Sequence, residues 1–224
     1  MANFLCICLS STIQKTISFE QVKLKEVNRS TTYRLDASGK AINTARILTQ
    51  LNPNTCVSVC PLGEKNANLF MELADRDNLY IDFVSIPGFT RECWTLLDRT
   101  AGTTTELVVG EPLPGPECAE EIRKAEIKLL KHINEAFDEV DGVLLAGSRP
   151  GIWSDDLYAA IAGMSKDAGK VFLADYVGAD LEGTLKTVTP DIIKINDEEF
   201  CKTFGVKSEE LKDAIISKSK ELGN

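Results

Sequence analysis

Six short apolar runs, spaced by helix-length segments, constrain this chain more than anything else in it: Phe4 to Leu9, Thr55 to Cys60, Tyr80 to Ile86, Gly142 to Ala146, Lys170 to Ala174 and Asp191 to Ile195. Brief runs without polar alternation read as strands covered on both faces, and their spacing by helical patterns is the rhythm of βα units around a parallel sheet. Ile42, Ala45, Leu48 and Leu51 predict one helical stripe, and Leu157, Ala160, Ile161 and Met164 predict another. Ser208 predicts the cap of a last helix whose Leu211, Ile215 and Leu222 face inward. With 224 residues, 43% of them hydrophobic, the chain can bury a real core and needs no more than one domain.

Two stretches break the rhythm. Thr12 to Glu20 is partly alternating and β-branched, which predicts a strand outside the main sheet. Cys93 to Leu97 and Thr103 to Val109 flank the charged turn Asp98-Arg99-Thr100-Ala101-Gly102, the pattern of a β-hairpin. Such excursions from an α/β core serve as lids that exclude water, or as extensions that contact a second copy, and pattern alone leaves both open. The Pro/Gly cluster from Glu111 to Pro116 reads as the return to a long helix beginning near Glu117.

Charge and cysteine content narrow the partners. A net charge of -9 argues against nucleic acid or an anionic membrane, although residues 1–50 carry seven Lys/Arg against three Asp/Glu. That local excess suits a small anionic ligand or a set of solvated lysines. Seven irregularly spaced cysteines read as free thiols in the cytoplasm. His132 is the only histidine, so a structural zinc or a histidine triad is disfavoured.

Polar residues collect just after the apolar runs. Gly147-Ser148-Arg149-Pro150-Gly151 follows one, Asp175 ends the next, and Asn196 to Glu199 follows the last. A parallel sheet brings these to one rim, where open α/β sheets hold ligands. Each is also ordinary by itself: a turn, a cap, and a surface helix capped by Asn196 with Asp197, Glu198 and Glu199 in its first turn. Ser38-Gly39-Lys40-Ala41-Ile42-Asn43 enters the first helix, where N–H groups and Lys40 can hold an anion, but it is no Walker loop, and no GxGxxG follows the first strand. Arg91 starts the hairpin, either reaching a phosphate or solvated at a strand end.

These pieces, in this order, resemble the PfkB (ribokinase-like) carbohydrate kinases, most of all the 1-phosphofructokinases and tagatose-6-phosphate kinases. Leu9 to Thr16 looks like the TLNPxIDxT opening, Val27-Asn28-Arg29 like VNR, and Ser38 to Arg46 like GGKGxNVAR. Thr90-Arg91 resembles the end of ETR, Thr105-Glu106-Leu107 is TEL, Gly147 to Gly151 resembles GSLPPG, and Ile193 to Glu199 resembles IKPNxEE. The resemblance implies a three-layer α/β/α fold with a mostly parallel sheet and a small β lid, built from segments near 11–36 and 88–111. It further implies transfer of the γ-phosphoryl group of ATP, with Mg²⁺, to a sugar, most closely a phosphorylated ketohexose. Gly39, Lys40, Asn43, Arg91 and Ser148 would bind the sugar or its phosphate. Lys194, Asn196 and Glu199 would lie near the ATP phosphates, with Asn196 and Glu199 organising the metal, and the lid offers a homodimer contact.

The departures are specific. Gln14 stands where the family has an Asp that contacts sugar hydroxyls, Ser10-Ser11 replaces Asn-Pro, and Ser38 and Ala41 replace two glycines. The GxGD motif that supplies the catalytic base occurs nowhere in the chain, so residues 1–224 read as the amino-terminal part of one kinase domain without efficient turnover. The rival expectation is a non-catalytic sugar-phosphate-binding or regulatory protein on the same fold.

Overall fold

The computed structural model describes residues 3–109 and 114–223. All six apolar runs form strands of one parallel sheet: β1 (Phe4–Ile7), β4 (Cys56–Gly63), β5 (Tyr80–Ile86), β8 (Gly142–Ala146), β9 (Val171–Asp175) and β10 (Ile192–Ile193), in the order β10-β9-β8-β1-β4-β5. Helices α1 (Lys40–Leu51) and α2 (Ala67–Arg76) cover one face. On the other lie α3 (Ala119–Ala136), α4 (Leu157–Asp167) and α5 (Ala179–Thr187). The alternation of β1 shows the three layers directly: Leu5 and Ile7 pack toward α3 and α4, whereas Cys6 and Cys8 pack toward α1 and α2. All seven cysteines are free thiols.

The remaining strands make a second sheet, ordered β3-β2-β6-β7, from β2 (Thr12–Phe19), β3 (Thr32–Ser38), β6 (Arg91–Asp98) and β7 (Thr103–Val108). The strand predicted from Thr12 and the hairpin about Asp98 to Gly102 are therefore both present. Thr12, Gln14, Ser38, Arg91 and Thr95 share one polar face, because cross-strand partners point the same way. Opposite them Lys15 Nζ lies 5.0 Å from the Tyr33 ring and 6.0 Å from that of Trp94. Residues 110–113, which hold the end of the second proposed lid segment and the start of the Pro/Gly cluster, lie outside the described residues. The long helix starts at Ala119 after a 3-10 turn at Pro116–Cys118.

Several helical expectations shift. Leu51 is 77% exposed, because steps of three residues fall about 60° short of a full turn each and carry the stripe off the buried face. Ala160 is exposed for a related reason: Tyr158 and Ala162 join Leu157 and Ile161 and rotate the buried face away from it. Ser208 begins a 3-10 turn and caps nothing, and α7 (Leu211–Glu221) has no buried residue. Ile215 and Leu222 instead border an apolar cavity of 250 Å³ beside α6 (Asp197–Phe204). Among the described residues no helix is long and apolar enough to cross a membrane.

A charge cluster fixes the second sheet to the first layer of helices. Arg46 donates to the backbone oxygen of Ala37 and, at 2.8 Å, to Asp77, while Arg76 holds both Leu35 O at 2.7 Å and Asp36 at 2.8 Å. Burial pushes the Asp77 carboxyl up, but its hydrogen bond from Arg46 and the charges of Arg46, Arg76 and Arg34 prevail and hold it below the usual range. A carboxyl lowered in the folded state contributes stability above its unfolded value of about 4 and loses it as pH falls through the folded value. Asp77→Ala is accordingly expected to cost about 1.5–3 kcal/mol in urea unfolding at pH 7. The difference from wild type should close in acid, once the wild-type carboxyl is itself protonated.

Candidate active site

Strand order locates the site before any side chain is considered. The chain runs outward from β1 through β4 to β5, then returns to the other side of β1 as β8, β9 and β10, so the order reverses between β1 and β8. A crevice opens outside the carboxyl ends of strands at such a reversal. Ser10 follows β1, Ser148 follows β8, and Ser148 Oγ donates to Ser10 Oγ across the gap at 3.2 Å.

Gly39 brings the amino end of α1 to this rim. Its φ of 128° belongs to glycine, and a Cβ would meet Cys8 Sγ at 2.5 Å. The first turn of α1 contains no acidic residue and begins with Lys40, so the positive end of the helix and an ammonium coincide. Lys40 Nζ lies 2.6 Å from Asp175 Oδ1, and Lys194 Nζ lies 3.4 Å from the same oxygen. Asp175 is 8% exposed and is the point at which both lysines meet.

A cavity of 310 Å³ collects Lys40, Gly147, Ser148, Asp175, Tyr176 and Glu199, with Arg149 and Asp180 in its wall. The loop after β8 is fixed from two sides. Arg149 donates to Asp180 at 2.8 Å, Asp155 at 2.9 Å and the Trp153 carbonyl at 2.9 Å. The Tyr158 hydroxyl donates to Gly147 O at 3.0 Å, and burial pushes that phenol up, so it keeps its proton at neutral pH. Gly178 opens α5, and Asn196 opens α6 with a complete capping box: Asn196 Oδ1 accepts from Glu199 N, and Glu199 Oε2 accepts from Asn196 N, each at 2.9 Å. The capping reading of Asn196 thus holds at the same time as Glu199 faces the cavity.

The other expected residues surround this centre. Arg91 Nε donates to Thr12 Oγ1 at 2.7 Å and Nη2 approaches Ser10 O at 3.4 Å, so Arg91 reaches the rim through the β1–β2 loop. Asn43 Oδ1 accepts from Arg46 at 2.7 Å and from Ser38 at 3.2 Å, which turns it toward the second sheet. Gln14 is pinned there too: Oε1 accepts from Ser38 Oγ at 2.8 Å and Nε2 donates to Thr95 Oγ1 at 2.9 Å. Asn196 borders the neighbouring apolar cavity. Sequence reasoning placed Asp175 on the rim but gave it no partner, and it missed Tyr158 and the Arg149–Asp180 pair. These pairings span 135 and 31 residues for Lys40–Asp175 and Arg149–Asp180, and no local pattern encodes them.

Among the described residues no group of three or more His, Cys, Asp or Glu is placed to hold a metal ion. Three carboxylates border the same cavity, Asp180 held by Arg149 and, beside it, Asp175 and Glu199, and the last two are a donor set that suits Mg²⁺ bound chiefly through water and substrate phosphates.

The fold has close counterparts. Phosphofructokinase-2 from Escherichia coli in a tetrameric inhibited form superposes with a TM-score of 0.81 at 16% identity, over 99% of this chain and 71% of that one. The same enzyme in complex with fructose-6-phosphate gives 0.80 at 16% identity, over 99% and 70%. A Thermotoga maritima protein described as a possible 1-phosphofructokinase gives 0.76 at 18% identity, over 87% of this chain and 60% of its own. The chain thus spans between 60% and 71% of the length of these relatives. At such identities the superpositions establish the three-layer fold. Residues 4–223 also match the pfkB family carbohydrate kinase model, and on that match across nearly its whole length the chain belongs to the pfkB family of carbohydrate kinases.

Proposed function

We propose that this protein serves ATP-dependent transfer of the γ-phosphoryl group to a hydroxyl of a phosphorylated ketohexose of the fructose-6-phosphate, fructose-1-phosphate or tagatose-6-phosphate type. The observation that carries the reading is the meeting of Lys40, Ser148, Asp175 and Glu199 in one cavity at the carboxyl ends of parallel strands. Phosphoryl transfer needs positioning and charge neutralisation more than a strong nucleophile, and this cavity offers both. Lys40 and Arg91 hold the phosphate already on the sugar, Ser148 and the backbone at Gly39 and Asn43 orient the ring, and Lys194 faces the ATP phosphates. Mg²⁺, when bound near Asn196 and Glu199, supplies further neutralisation of the transferring group. The work is cytoplasmic, and the polar face of the β3-β2-β6-β7 sheet closes the site while its other face meets a second copy.

A second reading has its own observation. Gln14 is neutral and tied to Ser38 and Thr95, which favours sugar-phosphate binding without catalysis.

Thermal unfolding with the three hexose phosphates, in parallel with an assay for ADP release from MgATP, tests both. The proposal expects a midpoint that rises with hexose phosphate and not with fructose, corresponding to about 2.7 kcal/mol at a hundred times Kd, together with sugar-dependent ADP release when the GxGD segment absent from residues 1–224 is supplied on the same chain. The same shift without ADP release would favour the binding protein. A shift with ribose or adenosine alone, or an Arg91→Ala variant that binds hexose phosphate as wild type does, would overturn the phosphate assignment.

A further inference from the structure

At the opposite end of the sheet from the candidate active site, two thiols touch. Cys6 on β1 and Cys56 on β4 have Sγ atoms 3.4 Å apart. Cys6 is fully buried, whereas Cys56 is half-buried and borders a cavity of 220 Å³ formed with Asn3, Asn54, Thr55, Tyr80 and Glu139. One thiol of the pair is thus accessible and the other is its hidden neighbour. We propose that Cys56 is a thiol-modification site that exchanges with small disulfides, with Cys6 acting as the positioning residue that activates it.

The strand register decides which chemistry the pair can do. Phe4 pairs with Cys56 and Cys6 with Ser58, so the two cysteines are diagonal across neighbouring strands. A spacing of about 4.8 Å between parallel strands and a two-residue offset of about 6.6 Å along them put the Cα atoms about 8 Å apart, beyond the reach of about 7 Å within which a disulfide forms without backbone movement. The pair therefore favours a one-thiol reaction. The Cys56 thiol donates to Cys6 Sγ; once Cys56 ionises, the Cys6 S–H becomes the donor, and that bond, with a smaller one from Ser58, outweighs burial and holds the Cys56 thiol below its usual value. The converse holds at Cys6, where the bond to Cys56 and burial both push the thiol up. Burial does the same at Cys8, Cys60 and Cys93, and burial with Glu117, Glu121 and Glu64 does so at Cys118. In the reaction the Cys56 thiolate attacks one sulfur of a disulfide RSSR, forming a new S–S bond as the old one breaks. The thiol proton passes to water, one RS⁻ leaves, and RSSR is the oxidant consumed.

The test is incubation of the full chain with oxidised glutathione, followed by peptide mapping of adducts at each cysteine. Cys56 is expected to react about tenfold or more ahead of Cys118 and Cys201. Cys6→Ala, which removes the donor, should slow the Cys56 reaction several-fold, whereas Cys6→Ser, which keeps a donor in the same space, should restore it. Comparable rates at Cys56, Cys118 and Cys201 would overturn the proposal, as would a Cys6→Ala rate equal to wild type. A Cys6–Cys56 disulfide as the main product would overturn the one-thiol chemistry.

Discussion

Lys40→Ala is expected to weaken hexose-phosphate binding by about 30- to 1000-fold, the equivalent of about 2–4 kcal/mol for losing one partner of a partly desolvated charge contact. The size follows from where the ammonium lies. It stands at the positive end of α1, half-exposed at the cavity, where it meets the Asp175 carboxylate at 2.6 Å and the Asp175 backbone oxygen at 3.4 Å and still borders open space. The fold should tolerate the change, because an ion pair with one member this accessible contributes about 1 kcal/mol or less. Asp175→Asn provides the contrast. It keeps the shape but removes the carboxylate that competes with an anion for Lys40 and Lys194, so phosphate binding should hold or strengthen. Calorimetric titration of both variants with fructose-6-phosphate separates the cases: equal weakening by both would mean that the pair only braces the rim.

The largest effect on stability is expected at Gly63, the last residue of β4. A Cβ there would overlap the backbone of Phe89 and Thr90, and backbone cannot rotate aside as a side chain does. The same junction carries reciprocal hydrogen bonds: Gly63 N to Thr90 Oγ1 at 2.9 Å, Thr90 N to Asn66 Oδ1 at 2.7 Å and Asn66 Nδ2 to Thr90 O at 3.0 Å. Gly63→Ala must part these segments, and overpacking combined with lost hydrogen bonds is expected to cost about 3 kcal/mol or more. Because Arg91 follows Thr90 directly, hexose-phosphate binding should fall with it. Gly163→Ala in α4 is the control. A Cβ there meets nothing within 4 Å, so the helix should gain about 0.5–1 kcal/mol. Urea unfolding checks both, and a Gly63→Ala midpoint within about 0.5 kcal/mol of wild type would contradict the overlap.

Much of this architecture is written locally. The apolar runs at Tyr80–Ile86 and Gly142–Ala146 coincide with β5 and β8 residue for residue: β8 is buried throughout and needs continuous hydrophobicity, while β5, at the sheet edge, keeps enough of it to be read despite Asp82 and Ser85. The hairpin about Gly102 and the cap at Asn196 are legible for the same reason: each depends on residues within about five positions. The stripe that ends at Leu51 failed where three-residue spacing drifts around the helix, and α7 failed because its Ile215 and Leu222 face a cavity rather than a packed layer.

The site divides along the same line. Sequence by itself determined which side chains stand at strand ends and helix starts, since Ser148 lies two residues past β8, Asp175 ends β9, Lys40 begins α1 and Asn196 caps α6. Only the tertiary structure decided which of them meet. The reversal of strand order at β1 and β8 brings Lys40 to Asp175 across 135 residues and Ser10 to Ser148 across 138. The register of the second sheet pins Gln14 between Ser38 and Thr95, and that of β1 on β4 sets Cys6 diagonal to Cys56. Such pairings depend on sheet order and register, which are set by burial of the whole chain, whereas each element depends on a few neighbouring residues.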